Sequence, residues 1–428
     1  EVTHLAGDTT LARIIHLVEE TQAQKAPSQR FVDQFAKYYT PLVIAGAVLI
    51  AAIPPLFFSQ PFSPWFYRAL VLLVIACPCA LVLSTPVTIV SGLAAAARSG
   101  VLIKGGRFLE GIGAVKAIAF DKTGTLTRGV PAVTEIITCS PDWDRREVLR
   151  IAAALEARSE HHLAQAILDK ARDLEIRRPE VEEFLAQTGR GVQARLDGRI
   201  HYLGNHRFAE EMGFCSPTVE AKLAELEGEG KTAVVVGTER GAVGIIAIAD
   251  QMREQIPAAL RDLKEAGVER LVMLTGDNRG TAEAVAKRLG IDKYLAELLP
   301  QDKVEKVREL TRRFGKVAMV GDGVNDAPAL AAASIGIAMG AAGTDQALET
   351  ADVALMADDL TKLPFAIRLG QQAIRIVKQN IGLSLATKAL FLALAIAGYA
   401  TLWMAVAADM GTSLLVIGNG MRLLRHGG

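Results

Sequence analysis

The stretch FDKTGTLT, residues 120–127, decides how this chain folds. It closes the apolar run VKAIAF (115–120), so Asp121 stands where a buried strand would end. Four more short apolar runs share that character: ERLVML (269–274), KVAMVG (316–321), IGIAM (335–339) and DVALM (352–356). Helix-like segments such as TAEAVAKRLG lie between them. Short, uniformly apolar strands alternating with helices predict a parallel sheet covered on both faces. In such sheets ligands bind outside the carboxyl ends of the strands.

Three of those strand ends carry chemistry. At the first, an Asp121 carboxylate can act as a nucleophile and accept a phosphoryl group. Lys122, Thr123 and Thr125 can position and neutralise phosphate oxygens, and Gly124 lets the backbone approach closely. At the second, LTGDN (274–278), Thr275 and Gly276 offer a hydroxyl and an amide. At the third, MVGDGVNDAPAL (319–330), Asp322 and Asp326 stand four apart, and hard carboxylate oxygens suit Mg²⁺. Lys303, in LPQDK (299–303), supplies a further cation for charge on a transferring phosphoryl group. Each piece alone is what an ordinary turn or helix cap contains. The three together, in this order, are not explained that way.

With DKTGTLT, TGDN and GDGVNDAP the sequence resembles the P-type ATPases, membrane pumps built on a haloacid-dehalogenase-like phosphorylation domain. The resemblance implies ATP and Mg²⁺ as cofactors. It implies a catalytic set of Asp121, Lys122, Thr123, Thr275, Gly276, Asp277, Lys303 and Asn325, with Asp121, Thr123, Asp322 and Asp326 handling Mg²⁺. Residues 130–248 resemble the small nucleotide-binding domain of the heavy-metal branch. That likeness implies nucleotide contacts at Glu156, His161, Gly189, Gly191, Gly204 and Asn205. One departure stands out: the family writes His-Pro where this chain has His161-His162.

Composition fits a membrane protein. Half of the 428 residues are hydrophobic, and the mean hydropathy is +0.27. The formal net charge is zero, which gives no footing for a nucleic-acid partner, and four cysteines are too few for a disulfide framework. Four apolar stretches, 38–58, 66–91, 379–398 and 401–419, have about the 20 residues needed to cross a bilayer. Lys and Arg cluster at one set of ends (Arg30, Lys37, Arg98, Lys104, Arg107, Arg375, Lys378, Arg422, Arg425), which predicts those ends to be cytoplasmic. The expected protein is multi-pass in the cell membrane with a cytoplasmic headpiece and the lipid bilayer as a partner. Buried core helices of a soluble protein are the alternative.

Within the second stretch lies IACPCALVLSTP (75–86). Pro78 lacks a backbone donor and should break its helix, freeing carbonyls and turning both thiols toward one cavity. In the heavy-metal branch a membrane Cys-Pro-Cys is the transport site, which implies that role for Cys77 and Cys79. Thiolates favour soft or borderline ions. Lys388 and Asp409 each lie about 12–15 Å into their spans, and intramembrane charges are functional by default. Two thiolates and Asp409, offset by Lys388 as counter-ion, leave a charge that a divalent ion neutralises and Cu(I) does not. The expected cargo is therefore Zn²⁺, Cd²⁺ or Pb²⁺, with a Cu(I)-exporting relative as the rival. Cys139 and Cys215 read as small apolar residues outside the membrane.

The fold class expected is a multi-domain membrane protein: transmembrane α-helices plus an α/β haloacid-dehalogenase-like phosphorylation domain with an inserted α+β nucleotide-binding domain. Residues 1–30 would end an actuator domain and its linker, 31–97 hold a helix pair with Cys-Pro-Cys, 98–129 and 249–370 form the phosphorylation domain, 130–248 the insert, and 371–428 a second helix pair and tail. The first residue is not Met and no Thr-Gly-Glu loop occurs, so the missing actuator portion of a longer pump is an expected partner. Two functions stay open: an ATP-driven metal exporter, and a non-transporting fragment that binds nucleotide or acts as a membrane-anchored phosphatase.

Overall fold

The computed structural model describes residues 26–159, 162–187, 190–277, 279–322, 326–339, 351–396, 399 and 401–426. Residues 1–25 lie outside the described residues, as do His161, Gly189 and Asn325. The described strands are β1 (Val101–Ile103), β2 (Ala117–Asp121), β3 (Thr127–Thr138), β4 (Glu182–Gln187), β5 (Gly191–Leu196), β6 (Arg199–Gly204), β7 (Thr232–Thr238), β8 (Gly241–Met252), β9 (Arg270–Leu274), β10 (Lys293–Leu295), β11 (Val317–Gly321), β12 (Ile335–Met339) and β13 (Val353–Leu355).

One sheet has the order β1-β13-β12-β11-β2-β9-β10. Every described pairing in it is parallel except the β1–β13 edge. The five apolar runs seen in the sequence are its strands, displaced by two residues or less. All five residues of β2, β11 and β12 are buried, as covered parallel strands require. The edge strands β1 and β10 have three residues each and were not among those runs.

The second sheet, β3-β8-β7-β6-β5-β4, is antiparallel throughout. The chain enters it along β3 and leaves along β8, and these two pair from Thr127↔Met252 to Thr138↔Gly244. The expected boundaries at 130 and 248 thus fall inside continuous strands, because the ladder runs through the junction. Helices Arg145–Glu156 and His162–Asp173 bury Leu149, Leu155 and Ile167 against this sheet.

The apolar stretches form α1 (Pro27–Phe58), α2 (Phe62–Ala76), α3 (Cys79–Arg98), α4 (Lys362–Ile396) and α5 (Leu402–Met421). Three helical stretches among the described residues are long and apolar enough to cross a membrane: Pro27–Phe58, Phe62–Arg98 and Leu402–Arg425. Only 6% of the apolar window in α1 is buried within this chain. The expected span 66–91 is broken at Cys77-Pro78, as Pro78 demanded. The expected span 379–398 is the far half of α4, and its last two residues lie outside the described ones.

The 35-residue α4 joins the two regions. Its first half packs Leu363, Ala366, Ile367, Leu369 and Ala373 into the core beneath the parallel sheet, and its second half carries Lys388. It crosses helix Gly106–Gly113 at backbone contact: a Cβ on Gly370 would lie 2.5 Å from the Leu109 carbonyl oxygen and 2.6 Å from the Gly113 nitrogen. Nearby, the Ser28 N–H and hydroxyl at the start of α1 both donate to the buried Glu110 carboxylate, the N–H over 3.3 Å. Gly370→Ala would force those helix backbones apart, at about 1–3 kcal/mol for overpacking a tight contact. The chain should then melt lower in detergent, as followed by circular dichroism, whereas Gly382→Ala, with open space around it, should not change the midpoint.

Candidate active site and ion site

β2 lies between β11 and β9, so three strand ends converge: Asp121 after β2, Thr275 after β9 and Asp322 after β11. Asp121 is buried, with 5% of its surface exposed. Lys303 reaches it from the first turn of helix Pro300–Phe314, where the Asp302 side chain accepts the Leu299 N–H at 2.9 Å and fixes the helix start. The Lys303 ammonium donates to Asp121 at 2.6 Å and to Asp326 at 2.7 Å. Asp326 tucks in because residue 321 is glycine; a Cβ there would lie 2.9 Å from the Asp326 Cβ.

Two carboxylates so close resist ionisation. Burial pushes the Asp121 carboxyl up to about 6, the Asp326 charge adds to that, and Lys303 works against it. Asp326 is raised as well, by burial first. Lys122 pairs with Asp277, and the Thr275 hydroxyl accepts the Asp277 N–H at 3.1 Å. Thr123 stands on the same rim, and Gly276, next to Asp277 in the chain, has room enough that a Cβ would meet only the Leu298 carbonyl oxygen, at 3.4 Å. Gly124 turns the loop with φ of 74°, a conformation that favours glycine.

Arg253, which sequence reasoning missed, fixes that loop. It follows β8 and donates to the carbonyls of Gly124, Thr127 and Asp358, each at 3.2 Å. Asp250 accepts from the Thr127 hydroxyl at 2.5 Å. The only signal was a pair of opposite charges in DQMR at the end of an apolar strand.

A cleft of about 1100 Å³ opens between Lys122, Thr123 and Asp277 on one side and Asn205, His206 and Lys231 on the other. Of the expected nucleotide contacts, Asn205 lines it, while Glu156, Gly191 and Gly204 do not. Glu156 is buried, its carboxyl raised by that burial, and one carboxylate oxygen has no hydrogen-bond partner. Gly191 and Gly204 face each other across β5 and β6, where a Cβ on Gly191 would lie 2.7 Å from the Phe208 ring. Their small size is thus used in packing. Asn205 caps the helix beginning at His206, accepting the Phe208 N–H at 3.0 Å.

In the membrane helices, Lys388 points at the break in Phe62–Arg98. Its ammonium donates to the Ile75 carbonyl at 3.1 Å and to the Cys77 carbonyl, and lies 3.6 Å from Asp409. Ile75 is among the last four residues of α2, whose carbonyls lack intrahelical partners, so Lys388 satisfies what Pro78 frees. Cys77 and Cys79 are joined in a disulfide, contrary to the two thiolates expected, and a disulfide sulfur is no thiolate ligand. Among the described residues no three His, Cys, Asp or Glu side chains gather closely enough to hold a metal ion. At both places an ammonium group, Lys303 or Lys388, lies among the oxygens.

The parallel sheet with Asp121 at its centre defines a haloacid-dehalogenase-like hydrolase, and the model of that family matches residues 115–334. A cadmium-transporting ATPase of Staphylococcus aureus is 47% identical over 99% of this chain and 59% of its own length. A zinc/cadmium/lead-transporting P-type ATPase of Escherichia coli is 44% identical over 100% of this chain and 57% of its own. The crystal structure of a zinc-transporting PIB-type ATPase in its E2.Pi state superposes with a TM-score of 0.85 at 44% identity, covering 99% of this chain and 69% of that one. The chain belongs to the heavy-metal-transporting P-type ATPases, in their zinc, cadmium and lead branch. It spans 59% and 57% of the length of the two relatives.

Since Asp121 is raised from 3.8 to about 6 by folding, its charge costs stability in full above pH 6, and that cost fades as pH falls toward 4. Asp121→Asn should therefore raise the melting midpoint by about 2 °C at pH 7.5 without Mg²⁺, the scale of ~1 kcal/mol in a domain of this size. At pH 5 the gain should shrink. Differential scanning calorimetry in chelator at the two pH values measures both.

Proposed function

We propose that this chain is the phosphorylating and ion-coordinating part of an ATP-driven exporter of Zn²⁺, Cd²⁺ or Pb²⁺. The observation that carries the proposal is Asp121, buried at the end of the central strand, hydrogen-bonded by Lys303 and followed in the chain by Lys122 and Thr123, which line the cleft. A phosphoanhydride in that cleft would meet two lysines that neutralise its oxygens. The Asp121 carboxylate then bonds to the γ-phosphorus as the bond from that phosphorus to the β–γ bridging oxygen breaks, releasing ADP. Thr123, Thr275, Gly276, Asp277 and Asn325 would position the transferred group.

P-type ATPases use Mg²⁺, and the donor set fits it. Asp121, Asp322 and Asp326 are hard carboxylates, and the raised Asp121 and Asp326 mark a place short of positive charge. These three residues and Thr123 would hold the ion, which when bound neutralises charge on the phosphate oxygens. Nucleotide would lie toward Asn205, with Glu156, His161, Gly189, Gly191 and Gly204 shaping that end.

The exported ion is the substrate of the second site. Cys77 and Cys79, once reduced, would offer two thiolates, and Asp409 a carboxylate, as borderline divalent ions prefer. Lys388 would be the counter-ion that holds Asp409 when the metal has left, and its 3.6 Å contact to Asp409 supports that role. The protein would be multi-pass in the cell membrane, with the headpiece cytoplasmic on the side where Lys and Arg cluster. Its partner in phosphoenzyme hydrolysis would be the actuator portion of the pump.

With radiolabelled ATP, Mg²⁺ and Zn²⁺, the chain joined to its actuator portion should take up acid-stable, base-labile phosphate, and Asp121→Asn should take up none. Label persisting in that variant contradicts the assignment. Zinc binding by the chain in nanodiscs should need reduction: none at the membrane site with the disulfide intact, and one equivalent after a phosphine reductant. Equal binding in both states would show that the two sulfurs are not ligands.

A further inference from the structure

Among the described residues, two buried hydroxyls on the membrane helices, those of Thr85 and Ser384, have no hydrogen-bond partner. Hydroxyls on membrane helices usually return to a carbonyl of their own helix, since lipid offers no partner. Thr88, Thr387 and Thr412 do so, at 2.7, 2.9 and 2.7 Å, and Ser84 does so at 3.2 Å. Ser384 does not. It is 1% exposed, and its Oγ has no hydrogen-bond partner. Thr85 shares that state but lines neither membrane cavity.

Ser384 lies one helical turn before Lys388, on the same face of α4. Together with Asp409 and Ala80 these residues line a small cavity of about 20 Å³, room for a single water. Thr387 and Thr412 also line it, but their hydrogens are committed to backbone. Ser384 and Lys388 line a second, apolar cleft as well, of about 400 Å³, which reaches between α1 and α2 to Phe35, Tyr39 and Leu72. Ser384 therefore stands on the wall between the charged pair and that cleft.

We propose that Ser384 is a further residue of the ion site, donating its hydroxyl oxygen to the divalent cation and biasing the site toward Zn²⁺ over Cd²⁺. The inference rests on the reading of Cys77, Cys79 and Asp409 as ligands. Two thiolates and one carboxylate leave a tetrahedral shell one donor short. A neutral oxygen fills it without altering the charge balance with Lys388. An unpaired buried hydroxyl is costly unless something takes its place in the shell or bridges it to the pair. With the metal gone, one water in the small cavity can bond Ser384, Asp409 and Lys388 together. A hydroxyl is a hard donor, so it serves zinc better than the softer, larger cadmium.

The test is competitive binding of Zn²⁺ and Cd²⁺ to the reduced chain in nanodiscs, for the wild type, Ser384→Ala, Ser384→Cys and a Cys77→Ala/Cys79→Ala double variant. Ser384→Ala should weaken zinc about tenfold, the scale of losing a supporting donor at a metal site. Ser384→Cys, close in shape and softer, should shift the Cd²⁺:Zn²⁺ affinity ratio toward cadmium by about tenfold on the same scale. A packing role would leave that ratio at its wild-type value in Ser384→Cys, and that result overturns the inference even if Ser384→Ala fails to fold. Undiminished zinc affinity in Ser384→Ala overturns it too. If the double variant binds zinc as tightly as wild type, the reading of the thiol site itself has failed, which is a separate outcome.

Discussion

An ammonium group largely withdrawn from solvent constrains the membrane half of this protein. Lys388 lies on a helix whose neighbouring Leu385, Leu390 and Leu392 are exposed apolar side chains, and a charge among them must find oxygen within the protein. It finds the carbonyls that Pro78 releases by interrupting Phe62–Arg98, and the Asp409 carboxylate on α5. The break, the half-buried lysine and the half-buried aspartate therefore explain one another. Remove the proline and the carbonyls return to their helix; remove the lysine and Asp409 loses its cation.

The same device recurs at the phosphorylation site. Lys303 lies between Asp121 and Asp326 as Lys388 lies between Asp409 and the carbonyl ends. In both places an ammonium group balances oxygens that would otherwise repel one another. The two sites are joined by α4. From Ala366, in the core under the parallel sheet, to Lys388 is about 33 Å of unbroken helix at 1.5 Å per residue. The backbone contact at Gly113 and Gly370 leaves little freedom for that helix to slide against the headpiece. A rotation of the phosphorylation domain would then be carried to Lys388 as a lever.

Much of this was legible in the sequence, for reasons that differ by residue. Asp121, Thr275 and Asp322 could be placed because a fully buried strand is a run of apolar residues and its end is marked by the first polar ones. The helix break was legible because proline acts on its own backbone. What could not be read depended on contacts distant in the chain. The Ile75 and Cys77 carbonyls that take Lys388 are 313 and 311 residues from it, and nothing local marks an acceptor. Arg253 gripping the Gly124 loop from 129 residues away is the same case. The close packing of Gly191 against the Leu203 carbonyl and of Gly204 against the Phe208 ring is likewise set by partners that no local pattern announces. Ser384 looked like any serine in an apolar helix until its neighbours showed that its hydroxyl was unspent.

The most direct measurement is X-ray absorption at the zinc edge on the reduced chain in nanodiscs, loaded with one equivalent of Zn²⁺. Ligation at the helix break predicts two sulfur neighbours at about 2.3 Å with oxygen neighbours near 2.0 Å. It also predicts that the sulfur shell disappears in Cys77→Ala/Cys79→Ala. A first shell of oxygen and nitrogen alone, or a sulfur shell that survives in the double variant, would contradict it.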